Sequence, residues 1–330
     1  MRRREFIAGV GCAVAWPLLA RAQQGERVRR VGMLTYGADV NTDADANFRP
    51  IPQLVRDELE KLGWIEGHNL RLDFRFGFGD ASQTRIFAAD LVRLAPDVIV
   101  TMFNAAVRAV QQQTKTIPIV FVGAEDPLEN GIVRNIARPD GNVTGFPRLF
   151  GSLGGKWLEL LKEIAPNITR VAYIHKVDIS GASYLHSIVE AARSLGVQVV
   201  AIPVSDAVGM KAAVEAFAAE PNGGLLLGPN FPAPEVLELN GLAAQYRLPA
   251  VYGRSLVRAN GGLLSYTSDF RETLHGAATY VDRLLRGAKV SDLPVQYPTK
   301  FRLVINLKTA KALGLEVPSS ILVRADEVIE

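Results

Sequence analysis

Residues 117–145 constrain the fold more than any other stretch of this sequence. Residues 117–122 form a short apolar run rich in β-branched side chains, which is typical of a strand buried on both faces of a parallel sheet. Asp126 and Pro127 then predict the start of a helix over residues 128–138, because Asp is a good N-cap and Pro fits the first helical position. A second strand begins at Val143. We expect the helix to start at the edge where open α/β sheets bind ligands.

The same alternation of strands and helices continues on both sides of this unit. Five strands with four intervening helices are predicted up to residue 145, and a second series begins with a helix over residues 157–164. Strict alternation indicates parallel strands joined by right-handed crossovers. The 330 residues, 48% of them hydrophobic, suffice for two cores of this kind but are few for three. The predicted fold class is α/β, with two doubly wound parallel-sheet lobes.

Three segments are predicted to cross between the lobes. They are residues 142–146, residues 263–267 and residues 291–299, the last of which contains two prolines and cannot be helical. A helix over residues 270–285 is expected to return to the first lobe. These crossings assign residues 25–146 and 268–290 to lobe 1, and residues 147–267 and 291–330 to lobe 2.

The N-terminus has the architecture of an export signal, assigned to residues 1–22. Arg3 and Arg4 precede an apolar run over residues 6–19, and Ala20-Arg21-Ala22 is a small-x-small cleavage site. The pair of arginines resembles the twin-arginine signal, and the general secretory route is the alternative. The run is too short for a membrane span. The expected location is therefore the periplasm, with cleavage near Ala22.

Composition and motifs argue against catalysis and against nucleic acid as a partner. The signal segment holds four arginines and one glutamate, so removing it takes the net charge from +3 to zero and leaves no basic footprint. Cys12, the single cysteine, lies in that segment. Residues 151–157 resemble a phosphate-binding loop but are one residue short, and Trp157 replaces the hydroxyl that would bind magnesium. We expect a monomer that is not an enzyme and has no cofactor or metal.

Polar and aromatic residues recur directly after the predicted strands, at their carboxyl ends. Aromatic rings and polar groups that converge on one cleft suit a small zwitterion with an apolar side chain. Asp126 is expected both to cap its helix and to accept a hydrogen bond from a ligand ammonium group, and Thr144 to donate to a ligand carboxylate. The candidate ligand-binding residues are Thr35, Tyr36, Phe103, Asn104, Glu125, Asp126, Thr144, Phe146, His175, Asn230, Phe231, Tyr252, Tyr266 and Asp269.

Several motifs together resemble one known family. They are Gly63-Trp64-Ile65-Glu66-Gly67, residues 117–145 as a whole, Lys156-Trp157-Leu158-Glu159-Leu160-Leu161, and the C-terminal residues 301–315, 317–318 and 324–329. This pattern is similar to the ABC-transporter substrate-binding proteins of the tryptophan/tyrosine type, which have a type I periplasmic-binding-protein fold. The resemblance covers essentially the whole chain after the signal.

The resemblance implies two lobes, joined by three crossings, that close on a small ligand. The expected partners are that ligand, an amino acid or a small aromatic compound, and the permease and ATPase subunits of an importer. A periplasmic sensor subunit that presents the closed form to a membrane receptor is the alternative. The sequence leaves open the ligand's identity, the export route, and the choice between transport and sensing.

The export signal predicts where the mature chain begins. Mass spectrometry of protein from fractionated cells should find a chain that begins near Gln23, outside the inner membrane, because Ala20-Arg21-Ala22 is a cleavage site. A cytoplasmic chain that retains Met1 would contradict the prediction.

Overall fold

The computed structural model describes residues 27–37, 50–148, 151–177, 179–229, 231, 233–253 and 261–330. The predicted export signal, residues 1–22, lies outside these residues. The described chain contains two sheets, one of five strands and one of seven. Within the described ranges, no helix is both long and apolar enough to cross a membrane.

The five-stranded sheet is parallel throughout and forms the centre of lobe 1. Its strands lie in the order β2-β1-β3-β4-β5, so β2 and β5 are the two edges. Every residue of β3, β4 and β5 is buried, which explains why their sequences are almost entirely apolar. The strands are β1 Arg29–Thr35, β2 Leu70–Phe76, β3 Val98–Met102, β4 Ile119–Ala124 and β5 Val143–Pro147, and the intervening helices are α1 Ile51–Lys61, α2 Ala81–Arg93 and α3 Phe103–Gln113.

The helix predicted over residues 128–138 does not form, and that prediction was wrong. Residues 127–131 make a single turn, in which the Asn130 N–H donates to the Asp126 carbonyl at 2.8 Å. The chain then leaves the turn through Gly131, whose φ of +63° is left-handed. The Asn130 side chain also donates to the Glu125 carbonyl at 2.8 Å. Such side-chain bonds compete with helix formation, so Asp126 caps no helix here.

The seven-stranded sheet forms the centre of lobe 2, in the order β12-β11-β10-β9-β8-β6-β7. All its pairs are parallel except β10 with β11, because the chain re-enters this lobe from the opposite direction at β11. Its strands are β6 Arg170–Lys176, β7 Gln198–Val204, β8 Gly223–Leu227, β9 Ala250–Tyr252, β10 Leu264–Ser268, β11 Phe301–Asn306 and β12 Glu327–Ile329. Its helices are α4 Ser152–Ile164, α5 Ile179–Leu195, α6 Ala207–Ala218, α7 Ala233–Gln245, α9 Leu307–Leu313 and α10 Ser319–Arg324.

Helix α8, Phe270–Leu285, belongs to the core of lobe 1 although it follows a strand of lobe 2. Its buried face, with Leu274, Ala277 and Val281, packs in one cluster with Val100 of β3 and Val122 of β4. The chain therefore passes between the sheets after β5, after β10 and before β11. The α/β fold with two lobes and three crossings agrees with the expectation from the sequence.

The three crossings lie side by side and are hydrogen-bonded to one another. The Gln296 N–H of the third donates to the Gly145 carbonyl at 3.1 Å, and the Asp269 N–H of the second donates to the Lys300 carbonyl at 3.0 Å. The fully buried Thr144 hydroxyl donates to the Leu293 carbonyl at 2.6 Å. Thr144 therefore links the crossings in this structure. Its hydroxyl was predicted to donate to a ligand carboxylate, but here it donates to the Leu293 carbonyl.

Candidate functional site

Two residues at the carboxyl ends of β3 and β4 have strained backbones. Phe103 has φ of +68° and Asp126 has φ of +37°, both in the left-handed region that non-glycine residues rarely occupy. Such a conformation costs on the order of 1–3 kcal/mol and persists only where the surroundings enforce it. Because strained residues of this kind concentrate at ligand sites, this edge of lobe 1 is the candidate functional site.

Asn104 is the residue that holds the two strand ends together. Its side-chain oxygen accepts from the Glu125 N–H at 2.7 Å, and its side-chain NH₂ donates to the Glu125 carbonyl at 3.3 Å. The Arg148 N–H donates to the Ala124 carbonyl at 2.9 Å and so ties the end of β5 to the same place. Asn104 was predicted as a ligand contact, and the structure shows its side chain bonded to the β4 loop.

Arg148, which was not among the predicted residues, brings a cation to this edge. Its guanidinium lies over the Phe103 ring, 5.6 Å from the ring centroid. Glu125 and Asp126 follow the neighbouring strand β4, so charges of both signs lie at this edge, together with an aromatic ring. Arg148 comes directly after Pro147, the last residue of β5. The candidate residues were chosen because they follow predicted strands. With the end of β5 placed at Pro147, the same criterion would have selected Arg148.

The carboxylates at this edge influence one another. Burial, and then the charge of Glu129, raise the pKa of the Asp126 carboxyl above its ordinary value. Burial also raises the pKa of the Tyr297 hydroxyl, with further contributions from Asp126 and Glu129. Tyr297 belongs to the third crossing, so this part of the crossing lies within electrostatic reach of the site.

Lobe 2 presents Tyr184 to the same edge. This side chain is only 2% exposed, and burial raises the pKa of its hydroxyl well above the ordinary value. The Arg148 charge lowers that pKa, and the charges of Glu125 and Asp126 raise it, so all three groups lie within electrostatic reach of the Tyr184 hydroxyl. Residues from both lobes therefore converge between the carboxyl edges of the sheets.

A stacked tryptophan fixes the position of Tyr184. The Trp157 and Tyr184 rings stack with centroids 4.7 Å apart, and the Trp157 indole N–H donates to the Tyr266 carbonyl at 2.7 Å. Gly253 leaves room for the indole, because a Cβ there would lie 2.8 Å from it. Neither Trp157 nor Tyr184 was predicted as a site residue, since both lie on helices and not at strand ends.

Five other predicted residues contribute to the cores or cap a helix. Phe146 is buried against Tyr280 of α8, with ring centroids 4.8 Å apart. Phe231 and Tyr252 are buried in the core of lobe 2. Asp269 caps α8 by accepting from the N–H groups of Arg271 and Glu272. Thr35 is fully buried, and its hydroxyl oxygen accepts from the Gly37 N–H. These five side chains have structural roles in the protein, and a ligand contact at any of them stays a prediction.

Three predicted residues lie near the sheet edges with protein partners. The Tyr36 hydroxyl donates to the Gly79 carbonyl. The buried His175 ring stacks on Tyr173, and the Tyr266 ring stacks on Phe301. Asn230 lies outside the described residues. In the part of the chain that is described, no group of three or more His, Cys, Asp or Glu residues could hold a metal ion.

Comparison with known proteins places these features in a family. A family model described as ABC transporter substrate binding protein matches residues 47–329. A tyrosine-binding protein of Clostridioides difficile is 24% identical over 259 residues, which cover 78% of this chain and 74% of that protein. A conserved domain protein from Vibrio cholerae is 25% identical, with a TM-score of 0.78 over 92% of this chain and all of that one.

Two further solved structures share the fold. One is an ABC domain in complex with L-Trp from Streptococcus pneumonia, 22% identical, with a TM-score of 0.78 over 91% of this chain and 99% of that one. The other is the ligand-free, open structure of a substrate-binding protein with adhesive properties from Clostridium difficile. It is 22% identical, with a TM-score of 0.71 over 92% of this chain and 99% of that one.

The raised pKa of Asp126 makes a prediction about stability and pH. A carboxyl whose pKa is higher in the folded state destabilises the fold when ionised, and this cost disappears as pH falls and the group is protonated in both states. Asn cannot ionise, and it tolerates a positive φ well. Asp126→Asn should therefore raise the unfolding temperature of the ligand-free protein at pH 7. The gain should shrink as the pH falls through the raised pKa and should be absent below about pH 4.

The control for this measurement is Asp140→Asn, which removes an exposed carboxylate from the same segment. Thermal unfolding of both variants and the parent across this pH range gives the comparison. A difference between Asp126→Asn and the parent that does not change with pH would contradict the electrostatic account.

Proposed function

The chain belongs to the family of ABC transporter substrate-binding proteins, and on that basis we propose that it is the solute-binding subunit of an importer. It captures a small ligand between its lobes and delivers it to a membrane permease coupled to an ATPase. It works as a monomer in the periplasm after its signal is removed. The protein itself carries out no chemical reaction.

The ligand we propose is an amino acid with an aromatic side chain. The observation that carries this proposal is the meeting of Phe103, Asp126 and Arg148 at the ends of three neighbouring strands, β3, β4 and β5, with the Arg148 guanidinium over the Phe103 ring. The ligand carboxylate would bind the Arg148 guanidinium, and its ammonium group would bind the carboxylates of Glu125 and Asp126. Hydrogen bonds to charged groups contribute about 1.5–3 kcal/mol each.

Aromatic rings on the two lobes provide the walls for the ligand side chain. Phe103 lies on lobe 1, and Tyr184, backed by Trp157, lies on lobe 2. Aromatic pairs contribute about 0.5–1.5 kcal/mol beyond the area they bury. The tyrosine-binding relative and the structural neighbour in complex with L-Trp support a ligand of this class.

Calorimetric titration with L-tyrosine and L-tryptophan tests the proposal. Arg148→Gln should weaken binding by about tenfold or more, since 1.4 kcal/mol is a factor of ten. The parent should prefer L-tyrosine to tyramine, which lacks the carboxylate, and Arg148→Gln should lose that preference. Arg134→Gln is the matched control, because Arg134 is an exposed arginine of the same lobe.

Two results would overturn the proposal. Equal affinity of Arg148→Gln and the parent, at equal thermal stability, would place the carboxylate site elsewhere. Absence of binding for every aromatic amino acid would reject the ligand class. A role in transport also requires that cells lacking the permease lose uptake of the bound ligand. Retained uptake would favour the alternative, a sensor subunit.

A further inference from the structure

Phe78 is an exposed aromatic residue on a rigid loop of lobe 1. It follows β2 at the carboxyl edge of the sheet and is 71% exposed. Its φ of +49° is left-handed, which is strained for a bulky residue. The Phe78 ring has one aromatic neighbour, Phe76, with ring centroids 6.3 Å apart. Most of its surface still lies in water, so the ring can accept a further apolar partner.

The loop around Phe78 is tied firmly to the end of β1. The Gly77 N–H donates to the Thr35 carbonyl at 2.8 Å, and the Gly79 N–H donates to the Tyr36 carbonyl at 2.7 Å. Gly77 is required because a Cβ there would lie 2.2 Å from the Thr84 hydroxyl. The exposed ring therefore sits on a fixed support and not on a loose tip.

Lobe 2 carries a matching apolar pair, Val177 after β6 and Val208 after β7. They are 67% and 79% exposed. The Asp206 side chain caps the helix that contains Val208 by accepting from the Gly209 N–H at 2.8 Å. The Lys176 ammonium donates to the Ser205 carbonyl at 3.2 Å and forms an ion pair with Glu235.

The two apolar sites occupy equivalent places relative to the crossings. The crossings leave from β5 in lobe 1 and from β10 in lobe 2. Phe78 follows β2, four strands from β5, and Val208 follows β7, four strands from β10. At about 4.8 Å per strand, each lies roughly 19 Å from the crossings. Both are at the mouth of the cleft, where rotation about the crossings moves the lobes farthest.

We propose that Phe78 packs against Val177 and Val208 when the lobes close, and that this contact latches the mouth of the cleft. The three side chains are apolar, exposed in this conformation and located at the carboxyl edges of the two sheets. Burying them against one another removes apolar surface from water, which favours the closed form. The proposal goes beyond ligand recognition, because none of the three residues has to touch the ligand.

Cysteine cross-linking in the full chain tests the latch. Cys12→Ser removes the single native cysteine, so Phe78→Cys with Val208→Cys leaves two thiols. A short bifunctional maleimide should link the two thiols within one molecule even without ligand. The closed state is then only a minor population, but each irreversible link traps a molecule in it, so linked molecules accumulate. The matched control pair is Ile86→Cys with Val208→Cys, since Ile86 is 55% exposed on helix α2 of the same lobe.

The latch predicts cross-linking of the Phe78 pair roughly tenfold or more faster than of the control pair, at a rate independent of protein concentration. Thermal unfolding of both variants verifies that they are folded. Equal rates for the two pairs would overturn the latch. The comparison needs no ligand, so its outcome does not depend on whether the ligand class proposed above is correct. If L-tyrosine binds, it should accelerate only the Phe78 pair.

Discussion

The proposed closure of the lobes depends on the hydrogen bonds that hold the three crossings side by side. Thr144 is central to this brace, because its buried hydroxyl links β5 to the segment that leads into the third crossing. Hydrogen bonds at one end of both sheets allow one lobe to rotate relative to the other about that end, and they resist sliding of one lobe past the other. The carboxyl edges near the crossings then stay close together, while the far edges, with Phe78 and Val208, move through the largest distance. In the proposed function, this geometry couples ligand binding to closure.

Backbone strain gives the edge of lobe 1 at the candidate site a fixed shape. Phe103 and Asp126 adopt left-handed conformations that the Asn104 side chain helps to hold, through its two bonds to the backbone of Glu125. Energy stored in this way is offset by the fold and not by the ligand. A ring and a carboxylate already in place lose less entropy on binding, which favours affinity for a small ligand. Asn is expected to fit at position 126, because it also tolerates a left-handed backbone.

The sequence predicted most of the fold and little of the site, for physical reasons. Helix 270–285 agrees with the prediction because burial of one face imposes a helical periodicity on its sequence. Strand 301–306 agrees because it is a short, largely apolar run whose last four residues are buried. The helix over residues 128–138 failed because the Asn130 side chain bonds to nearby backbone and Gly131 turns the chain away. Strand-end residues such as Phe146 and Tyr252 were placed at the right edge, but alternation along a buried strand turns their side chains into the cores. Tyr184 could not be found this way, because only the packing of two helices brings it to the site.

Small-angle scattering tests the central claim, that the lobes close on an aromatic amino acid. At saturating L-tyrosine or L-tryptophan, as established by calorimetry, the radius of gyration of the parent should fall relative to the ligand-free protein. Arg148→Gln at the same ligand concentration should show a smaller change, since fewer molecules are bound. An unchanged radius of gyration at proven saturation would contradict closure about the crossings.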